Sequence, residues 1–362
     1  MNNGNTESGS HSLLDFGVNE RLLASAEEAR SRGLELARVT AVHRDAMDLR
    51  SAAGELRGEC SGALLFSTDD DHATPVTGDW VLARLFIDSG LGIVEHVLPR
   101  RGVLRRKDPG RATRYQLLAA HVDRAFILTA ADEDFSVNRI ERYLVMVCDG
   151  GIEPVVLISK ADVADEARRA EQREQLQRLG AMRIVYFSSM SGEGMDELST
   201  LIEAGRTVCL LGSSGVGKST LINVLLGEQR ERTAEVRTQD HKGRHTTTTR
   251  AMHLLPGGGV LIDTPGMREL GHIGAQDGLD AVFDDISALA ADCRYDDCRH
   301  EAEPGCAVRA AVERGDIDAA RYENFLRIRR DAERLDVSVA ERRRRERVFG
   351  RLLKNFKDKR DR

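Results

Sequence analysis

The alternation of apolar and polar residues divides the chain into regions of different secondary structure. Residues 1–18 are polar and rich in Gly, Ser and Asn, which predicts disorder, whereas residues 19–33 predict a short amphipathic helix. Between 36 and 99, short apolar runs are separated by turn residues: ARVTAV, GALLFS, DWVLARLFI and GIVEHVL. Strand-like runs at this spacing are typical of a small β-barrel or sandwich. An OB-like barrel would suit nucleic acid, but a purely structural barrel is an equal alternative.

From residue 122 the pattern changes to apolar strands that alternate with helices, and from residue 281 the chain is predicted to be largely helical. Strands alternating with helices predict a mostly parallel sheet that is covered on both faces. Ligands bind at the carboxyl ends of the strands in such sheets. Polar residues follow four of the predicted strands, in LISKAD, YFSSMS, LLGSS and LIDTPG. These four strand ends therefore predict one shared site.

The segment GSSGVGKS has the spacing G-x-x-x-x-G-K-[ST] between an apolar strand and a helix-like run, which predicts a phosphate-binding loop. Its glycines let backbone N–H groups surround phosphates, and the helix N-terminus that follows favours negative charge. We expect Lys218 to reach the β- and γ-phosphates and the Ser219 hydroxyl to bind Mg²⁺. The predicted contacts are Gly212, Ser213, Ser214, Gly215, Val216, Gly217, Lys218, Ser219 and Thr220.

Two further segments predict contacts with Mg²⁺ and the γ-phosphate. Asp263 ends the strand VLID and can hold the water shell of Mg²⁺, and Gly266 in the same DTPG turn can offer its N–H to the γ-phosphate. Between the phosphate loop and this turn lies GRHTTTT, where Thr246 and Thr247 are candidates for a second hydroxyl ligand of Mg²⁺. A β-branched strand entry is the alternative interpretation of these threonines.

The segment LISKAD predicts recognition of guanine. Asp162 is expected to accept hydrogen bonds from the guanine N1–H and N2 amine, whereas adenine would present a lone pair to the same carboxylate. The Lys160 stem is expected to cover the base, and the turn at Ser188 and Ser189 to offer N–H groups to O6. Ser159 completes this predicted site in place of the usual Asn. We expect its shorter side chain neither to reach the purine N7 nor to brace the phosphate loop as an amide does.

The base segment precedes the phosphate segment, which reverses the usual GTPase order and indicates a circular permutation. Permutation is tolerated where the original termini lie close together on the surface. The segment after DTPG then leads directly into a cysteine cluster. Cys293, Cys298, His300 and Cys306 supply three thiolates and one imidazole, a ligand set that suits a closed, structural Zn²⁺ site. The alternative is a group of reduced core cysteines with a surface histidine.

Composition and charge indicate a globular protein but do not by themselves indicate its function. The 362 residues are 41% hydrophobic and 31% charged, which predicts a globular protein of two or three domains. No apolar run is long enough to span a bilayer and no secretory signal is visible, so the cytoplasm is the expected location. The net charge is −6, but residues 341–362 carry 11 Lys/Arg against 4 Asp/Glu. That tail is either a solvated helix or an arm that binds RNA phosphates.

The permuted order, GSSGVGKST, GRHTT, DTPGMREL and the cysteine block together resemble the family of ribosome small-subunit-dependent GTPase A, RsgA or YjeQ, over about residues 35–335. The resemblance implies an α/β protein with an OB-fold, a circularly permuted P-loop GTPase domain and a helical zinc-binding domain. The expected regions are a polar extension at 1–34, the OB-like barrel at 35–105, the GTPase domain at 106–280, the zinc-binding domain at 281–340 and a basic tail at 341–362.

The same resemblance implies a role in late maturation of the small ribosomal subunit. It implies rRNA binding and hydrolysis of GTP to GDP and phosphate, with turnover stimulated by the subunit. The implied cofactors are Mg²⁺ with GTP and one structural Zn²⁺, and the expected state is a monomer with no membrane partner. A GTP-gated adaptor with incidental turnover stays open as a second class, whereas Asp162 disfavours an ATPase.

The water-orienting group is the least defined part of the predicted site. Ras-like enzymes place a Gln after the DxxG glycine, and here that position is Met267, which cannot orient water. His245 in GRHTT is the nearest candidate for this role, and contact with RNA or bracing of the loop is the alternative.

We expect His245→Ala to abolish subunit-stimulated GTP turnover, because the variant lacks the imidazole that is the nearest candidate to orient the attacking water. Binding of GTP should stay near that of the parent protein, and both quantities are measured on the same preparation. Survival of stimulated turnover in the variant would show that His245 has no catalytic role.

Overall fold

A barrel, a parallel sheet and a helical region follow one another along the chain. The computed structural model describes residues 12–66, 74–107, 115–180, 182–227, 250–263 and 276–333. Across these ranges, no helix combines the length and the apolar character needed to cross a bilayer. The predicted amphipathic helix is present as α1 (Glu20–Arg30), which Asn19 caps by accepting a hydrogen bond from the Leu22 N–H. Its apolar side packs into the main core through Leu22, Ala26 and Ala29.

Five strands close into the predicted small barrel. They are β1 (Glu35–Val42), β2 (Met47–Ser51), β3 (Gly54–Cys60), β4 (Trp80–Phe86) and β5 (Leu91–Val97). The strand order is β1-β2-β3-β5-β4, and β4 pairs back to β1, which closes the barrel. Only the β3–β5 pair is parallel among these described strands, and this arrangement is the OB-fold. The interior is formed by Ala37, Val39, Met47, Leu49, Leu64, Val81, Ala83 and Val94.

The prediction of a strand at GALLFS is wrong. This run forms the short helix α2 (Gly62–Phe66) between β3 and β4. Ser61 starts the helix by accepting a hydrogen bond from the Leu64 N–H at 3.1 Å. Leu64 packs into the barrel while Leu65 is exposed. A strand would need alternate residues to be buried over a longer run, whereas Ala and Leu favour a helix once Ser provides the cap. A single-turn 3₁₀ helix (Ile87–Ser89) connects β4 to β5.

A hairpin and a six-stranded sheet follow the barrel. The hairpin is β6 (Leu104–Lys107) with β7 (Tyr115–Ala119). The sheet has the order β10-β9-β8-β11-β13-β12, and within it β12 alone is antiparallel. Two residue pairs, Ala41 with Ala251 and Val42 with Arg250, join β12 to β1 of the barrel. The strands are β8 (Arg124–Ala130), β9 (Glu153–Ser159), β10 (Arg183–Tyr186), β11 (Thr207–Gly212), β12 (Arg250–Leu254) and β13 (Val260–Ile262).

Both faces of this sheet are covered by helices, as the alternating pattern predicted. Along β8, Ala125 and Ile127 belong to one core cluster and Phe126 and Leu128 to the other. The first face packs against α3 (Val137–Asp149) and α4 (Glu166–Gln177), and the second against α5 (Met195–Thr200) and α6 (Lys218–Leu226). A parallel sheet buried on both faces requires the near-continuous apolar strands seen in the sequence.

The region after the sheet is helical and is held against α3 by buried polar contacts. It contains α7 (Gln276–Val282), α8 (Asp284–Ala290), α9 (Ala307–Arg314) and a helix over 319–333. The buried Glu141 carboxylate in α3 accepts hydrogen bonds from Arg321 at 2.6 Å and from Asn324 at 2.5 Å. Arg321 also pairs with Asp285 at 2.8 Å. Because a buried charge is tolerated only when it is paired, these contacts fix how the helices dock.

Two facing glycines leave space in the barrel core for the side chain of Leu49. Gly58 in β3 lies opposite Gly92 in β5. A Cβ added at Gly58 would lie 2.6 Å from Met47 Cγ and 2.7 Å from Leu49 Cγ. The Leu49 side chain therefore fills the volume that a larger residue at either glycine would need.

We expect Gly58→Ala to lower the free energy of unfolding of the barrel by about 1–3 kcal/mol, because the added methyl overpacks a closed core. Trp80 is the only tryptophan of the chain and is buried in β4, so its fluorescence reports the loss of the barrel during urea unfolding. Gly62→Ala is the control, since its Cβ meets nothing within 4 Å. Equal urea midpoints for the two variants would contradict the packing argument.

Candidate nucleotide and metal sites

The four predicted strand ends lie along one edge of the parallel sheet. In the strand register, Gly212 of β11 pairs with Leu128 of β8, and Ala130 of β8 pairs with Ser159 of β9. Strands β10 and β13 run parallel to their neighbours, so the segments after them leave the sheet at the same edge. The base segment, the phosphate segment and Asp263 are therefore brought together by the topology alone.

The phosphate loop connects β11 to α6. Gly215 and Gly217 have φ of +84° and +94°, a conformation that suits glycine and turns successive backbone N–H groups to one side. Gly217 precedes the first residue of α6, so the positive end of the helix faces the same concavity. The Lys218 ammonium donates to the carbonyls of Gly212 at 2.7 Å and Ser213 at 2.5 Å, which places it over the loop. The arrangement suits an anion with several phosphate oxygens.

Ser159 braces the phosphate loop, which corrects the expectation that a side chain shorter than Asn would not do so. Its hydroxyl lies 2.7 Å from the carbonyl oxygen of Val216 and 3.2 Å from that of Thr129. The sequence-based expectation was wrong because β9 ends directly beneath the loop, so that a one-carbon side chain spans the gap. A hydrogen bond thus joins the base segment to the phosphate loop, and Ser159, which donates it, is only 3% exposed.

The base segment is shaped by Lys160, a residue with positive φ. Its φ of +55° turns the chain sharply after β9 and leads into a 3₁₀ turn (Ala161–Val163) that carries Asp162 at the surface. The Lys160 ammonium lies 2.7 Å from the Asp132 carboxylate. Partial burial acts to raise the pKa of Asp132, but the hydrogen bonds from Lys160 and the Asp134 N–H, together with the positive charges of Lys160 and Arg168, hold the pKa below its usual value. Asp132 therefore stays charged and orients the lysine stem.

Arg169 in α4 holds the two halves of the predicted base site together. Its guanidinium donates to the Ala161 carbonyl at 2.6 Å and to the Glu193 carboxylate at 2.6 Å, so it bridges the segment after β9 and the turn after β10. In that turn the buried Ser188 hydroxyl accepts hydrogen bonds from the N–H groups of Met190 and Ser191. Ser189 follows at the half-buried rim of the turn.

Three residues of this region were not identified from the sequence: Asp132, Arg139 and Arg169. Asp132 follows the end of β8, so the rule that located the other strand ends would also have located it. Arg139 in α3 donates to the Ser213 hydroxyl of the phosphate loop at 2.9 Å, and it carries no sequence signal because it depends on how α3 packs. Arg169 is likewise one of several arginines on a polar helix, indistinguishable by pattern.

Several predicted contacts lie outside the described residues. These are His245, Thr246, Thr247 and Gly266, together with Met267. Asp263 is described at the end of β13, where its N–H donates to the Ala251 carbonyl at 3.0 Å. Ser219 and Thr220 lie in the first turn of α6, half-buried beside Lys218.

The four predicted metal ligands meet at one point between α8 and α9. The ligand atoms of Cys293, Cys298, His300 and Cys306 all lie within 4.8 Å of one another. His300 Nδ1 lies 3.5 Å from Cys293 Sγ and 3.4 Å from Cys306 Sγ, and the two sulfurs are 3.9 Å apart. A tetrahedron with metal–sulfur bonds of about 2.3 Å and a metal–nitrogen bond of about 2.0 Å has edges of about 3.5–3.8 Å. The donor set therefore fits one four-coordinate metal ion.

The surroundings of His300 favour its role as a ligand. Burial lowers the pKa of this imidazole, so the neutral form that binds metals predominates at neutral pH. The backbone of His300 has a φ of +58°, and its carbonyl accepts a hydrogen bond from the Tyr322 hydroxyl. Cys306 also caps α9, where its Sγ accepts from the Arg309 N–H at 3.4 Å.

Comparison with known proteins identifies the family. The model of the RsgA GTPase family matches residues 97–273. A Vibrio parahaemolyticus protein named small ribosomal subunit biogenesis GTPase RsgA 2 is 40% identical over 330 residues, which are 90% of this chain and 87% of that protein. The chain belongs to the RsgA GTPase family. A further member from Opitutus terrae is 43% identical over 84% of this chain and 86% of its own length.

Two solved structures share the fold of this chain. YjeQ from Thermotoga maritima has a TM-score of 0.60 at 25% identity, covering 83% of this chain and 98% of that one. A structure titled YloQ, a circularly permuted GTPase, has a TM-score of 0.57 at 22% identity and covers 83% of this chain and 95% of its own. The predicted family and the predicted fold class, including the circular permutation, are confirmed by these similarities.

We expect the purified protein to carry about one metal ion per chain, and the Cys298→Ser variant to lose most of its metal. Amide hydrogen exchange in α9 should then increase by at least about tenfold, because the metal holds Cys306, the residue that caps the N-terminus of this helix. Elemental analysis and hydrogen exchange measure the two effects. Cys60→Ser, in the barrel, should change neither, and unchanged exchange in Cys298→Ser would exclude a structural role for the metal.

Proposed function

We propose that this chain is a GTPase that acts in late maturation of the small ribosomal subunit. The observation that carries the proposal is the hydrogen bond from Ser159 to Val216, which joins the base segment and the phosphate loop at one sheet edge. The relatives at 40% and 43% identity are named small ribosomal subunit biogenesis GTPases, which supplies the biological setting. The chain binds the rRNA of the small subunit, the subunit stimulates turnover, and the reaction yields GDP and phosphate.

The proposed roles follow from the positions of the side chains. Asp162 accepts from the Watson–Crick edge of guanine, and its surface position on the turn after β9 leaves the carboxylate accessible. Lys218 and the N–H groups of the loop bind the phosphates, while Ser219 and Asp263 hold Mg²⁺. When bound, Mg²⁺ neutralises charge on the β- and γ-phosphates. Thr246 or Thr247 supplies the second hydroxyl ligand of Mg²⁺, the Gly266 N–H contacts the γ-phosphate, and His245 orients the attacking water.

The metal at the cysteine cluster is zinc, since three thiolates and an imidazole in a tetrahedron suit this ion. Four protein ligands leave no open position, so the ion is structural. The domain boundaries are those expected from the sequence, with the barrel and the basic tail as rRNA contacts. The protein acts in the cytoplasm as a monomer.

The decisive experiment measures GTP turnover at fixed enzyme concentration with small subunits, with large subunits and alone. We expect stimulation by small subunits only, by at least about tenfold, because a Met at the Gln position leaves the intrinsic reaction slow. Lys218→Ala should abolish turnover in every condition, whereas Arg178→Ala, an exposed residue at the end of α4, should behave as the parent protein.

GTP binding is measured on the same samples to interpret a negative result. Binding without stimulation by small subunits would overturn the proposed activation and favour a GTP-gated adaptor. Equal stimulation by large subunits would overturn the proposed specificity for the small subunit.

A further inference from the structure

Ser159 occupies a confined position between the base segment and the phosphate loop. Its side chain is 3% exposed, and a Cβ placed on Gly217 would lie 3.9 Å from its hydroxyl oxygen. The hydroxyl has two neighbours within hydrogen-bond distance, the carbonyl oxygens of Val216 at 2.7 Å and Thr129 at 3.2 Å. The shorter distance identifies Val216 as the main acceptor.

The chemistry of a hydroxyl limits what Ser159 can contact in addition. A serine has one O–H donor, whereas an asparagine amide has two N–H donors. Both neighbours of Ser159 are carbonyl oxygens, which accept, so the single proton is used within the protein. The N7 atom of guanine is also an acceptor and needs a donor. An amide at this position can donate to the loop carbonyl and to N7 together, but a hydroxyl can serve only one of them.

Cationic donors beside the loop have partners of their own. The Lys160 ammonium is paired with Asp132 at 2.7 Å. The Arg139 guanidinium donates to the Ser213 hydroxyl at 2.9 Å. These contacts tie both cations to protein groups that shape the loops.

We propose that Ser159 is a positioning residue that holds the phosphate loop while leaving guanine N7 without a hydrogen bond from this position. The inference rests on the proposed guanine nucleotide function and defines its specificity. Selection then depends on Asp162 at the N1 and N2 side of the base. The site should then bind nucleotides that have a guanine-like Watson–Crick edge, including analogues in which carbon replaces N7.

The test compares the binding of GTP, 7-deaza-GTP and ATP by displacement of a fluorescent GDP analogue. For the parent protein we expect GTP and 7-deaza-GTP to bind within about twofold of each other, because no hydrogen bond is lost. Ser159→Asn should prefer GTP over 7-deaza-GTP by about three- to tenfold, the value of one added hydrogen bond. Ser159→Ala should weaken both nucleotides equally, since only the brace to Val216 is removed.

The ratio of the two affinities separates specificity from general damage to the fold, which would weaken both nucleotides alike. A parent protein that prefers GTP over 7-deaza-GTP by more than about fivefold would overturn the inference, whatever the variants do. An Asn variant that binds GTP without gaining a preference would also overturn it, because position 159 would then not control contact with N7. Failure of GTP to outcompete ATP would instead contradict the proposed guanine nucleotide function.

Discussion

The buried guanidinium of Arg38 connects the parts of the structure that carry the functional sites. It extends from β1 of the barrel, 1% exposed, and lies 5.2 Å from the ring centre of Trp80. It donates to the Thr207 hydroxyl at 2.8 Å, at the start of the strand that ends in the phosphate loop, and to the Phe16 carbonyl. Barrel, N-terminal segment and parallel sheet are therefore held by one side chain whose donors would be costly to leave unpaired.

The charge of Arg38 also determines the state of its neighbours. Burial lowers the pKa of Arg38 to about 10, so the guanidinium remains charged at neutral pH, supported by Asp123 and Asp79. Burial, together with Arg38, lowers the pKa of His121 to about 3. His121 is thus neutral, and among the described residues neither of its ring nitrogens has a hydrogen-bond partner. A charged histidine here would add an unpaired charge to the junction of barrel and sheet.

A second set of buried polar contacts links the metal region to the nucleotide site through α3. At one point of this helix, Glu141 accepts from Arg321 of the C-terminal region, and less than one turn earlier Arg139 donates to the phosphate loop. The circular permutation makes the chain after Asp263 enter the metal region, so the two sites are joined both covalently and by packing. A movement of the metal region that displaced α3 would therefore also alter the hydrogen bond from Arg139 to Ser213.

The sequence by itself determined the parallel sheet, the edge where the four strand ends meet, the cluster of three cysteines and one histidine, and the family, because each depends on a local pattern. Apolar periodicity, glycines at fixed spacing, and soft ligands within fourteen residues are visible without folding. Tertiary structure alone decided the helix at GALLFS, where burial of Leu64 against the barrel outweighs the strand-like run. It also decided the contacts of Arg139, Arg169 and Ser159, because distances between chain segments depend on packing. Whether a short side chain reaches a carbonyl 57 positions away cannot be inferred from spacing.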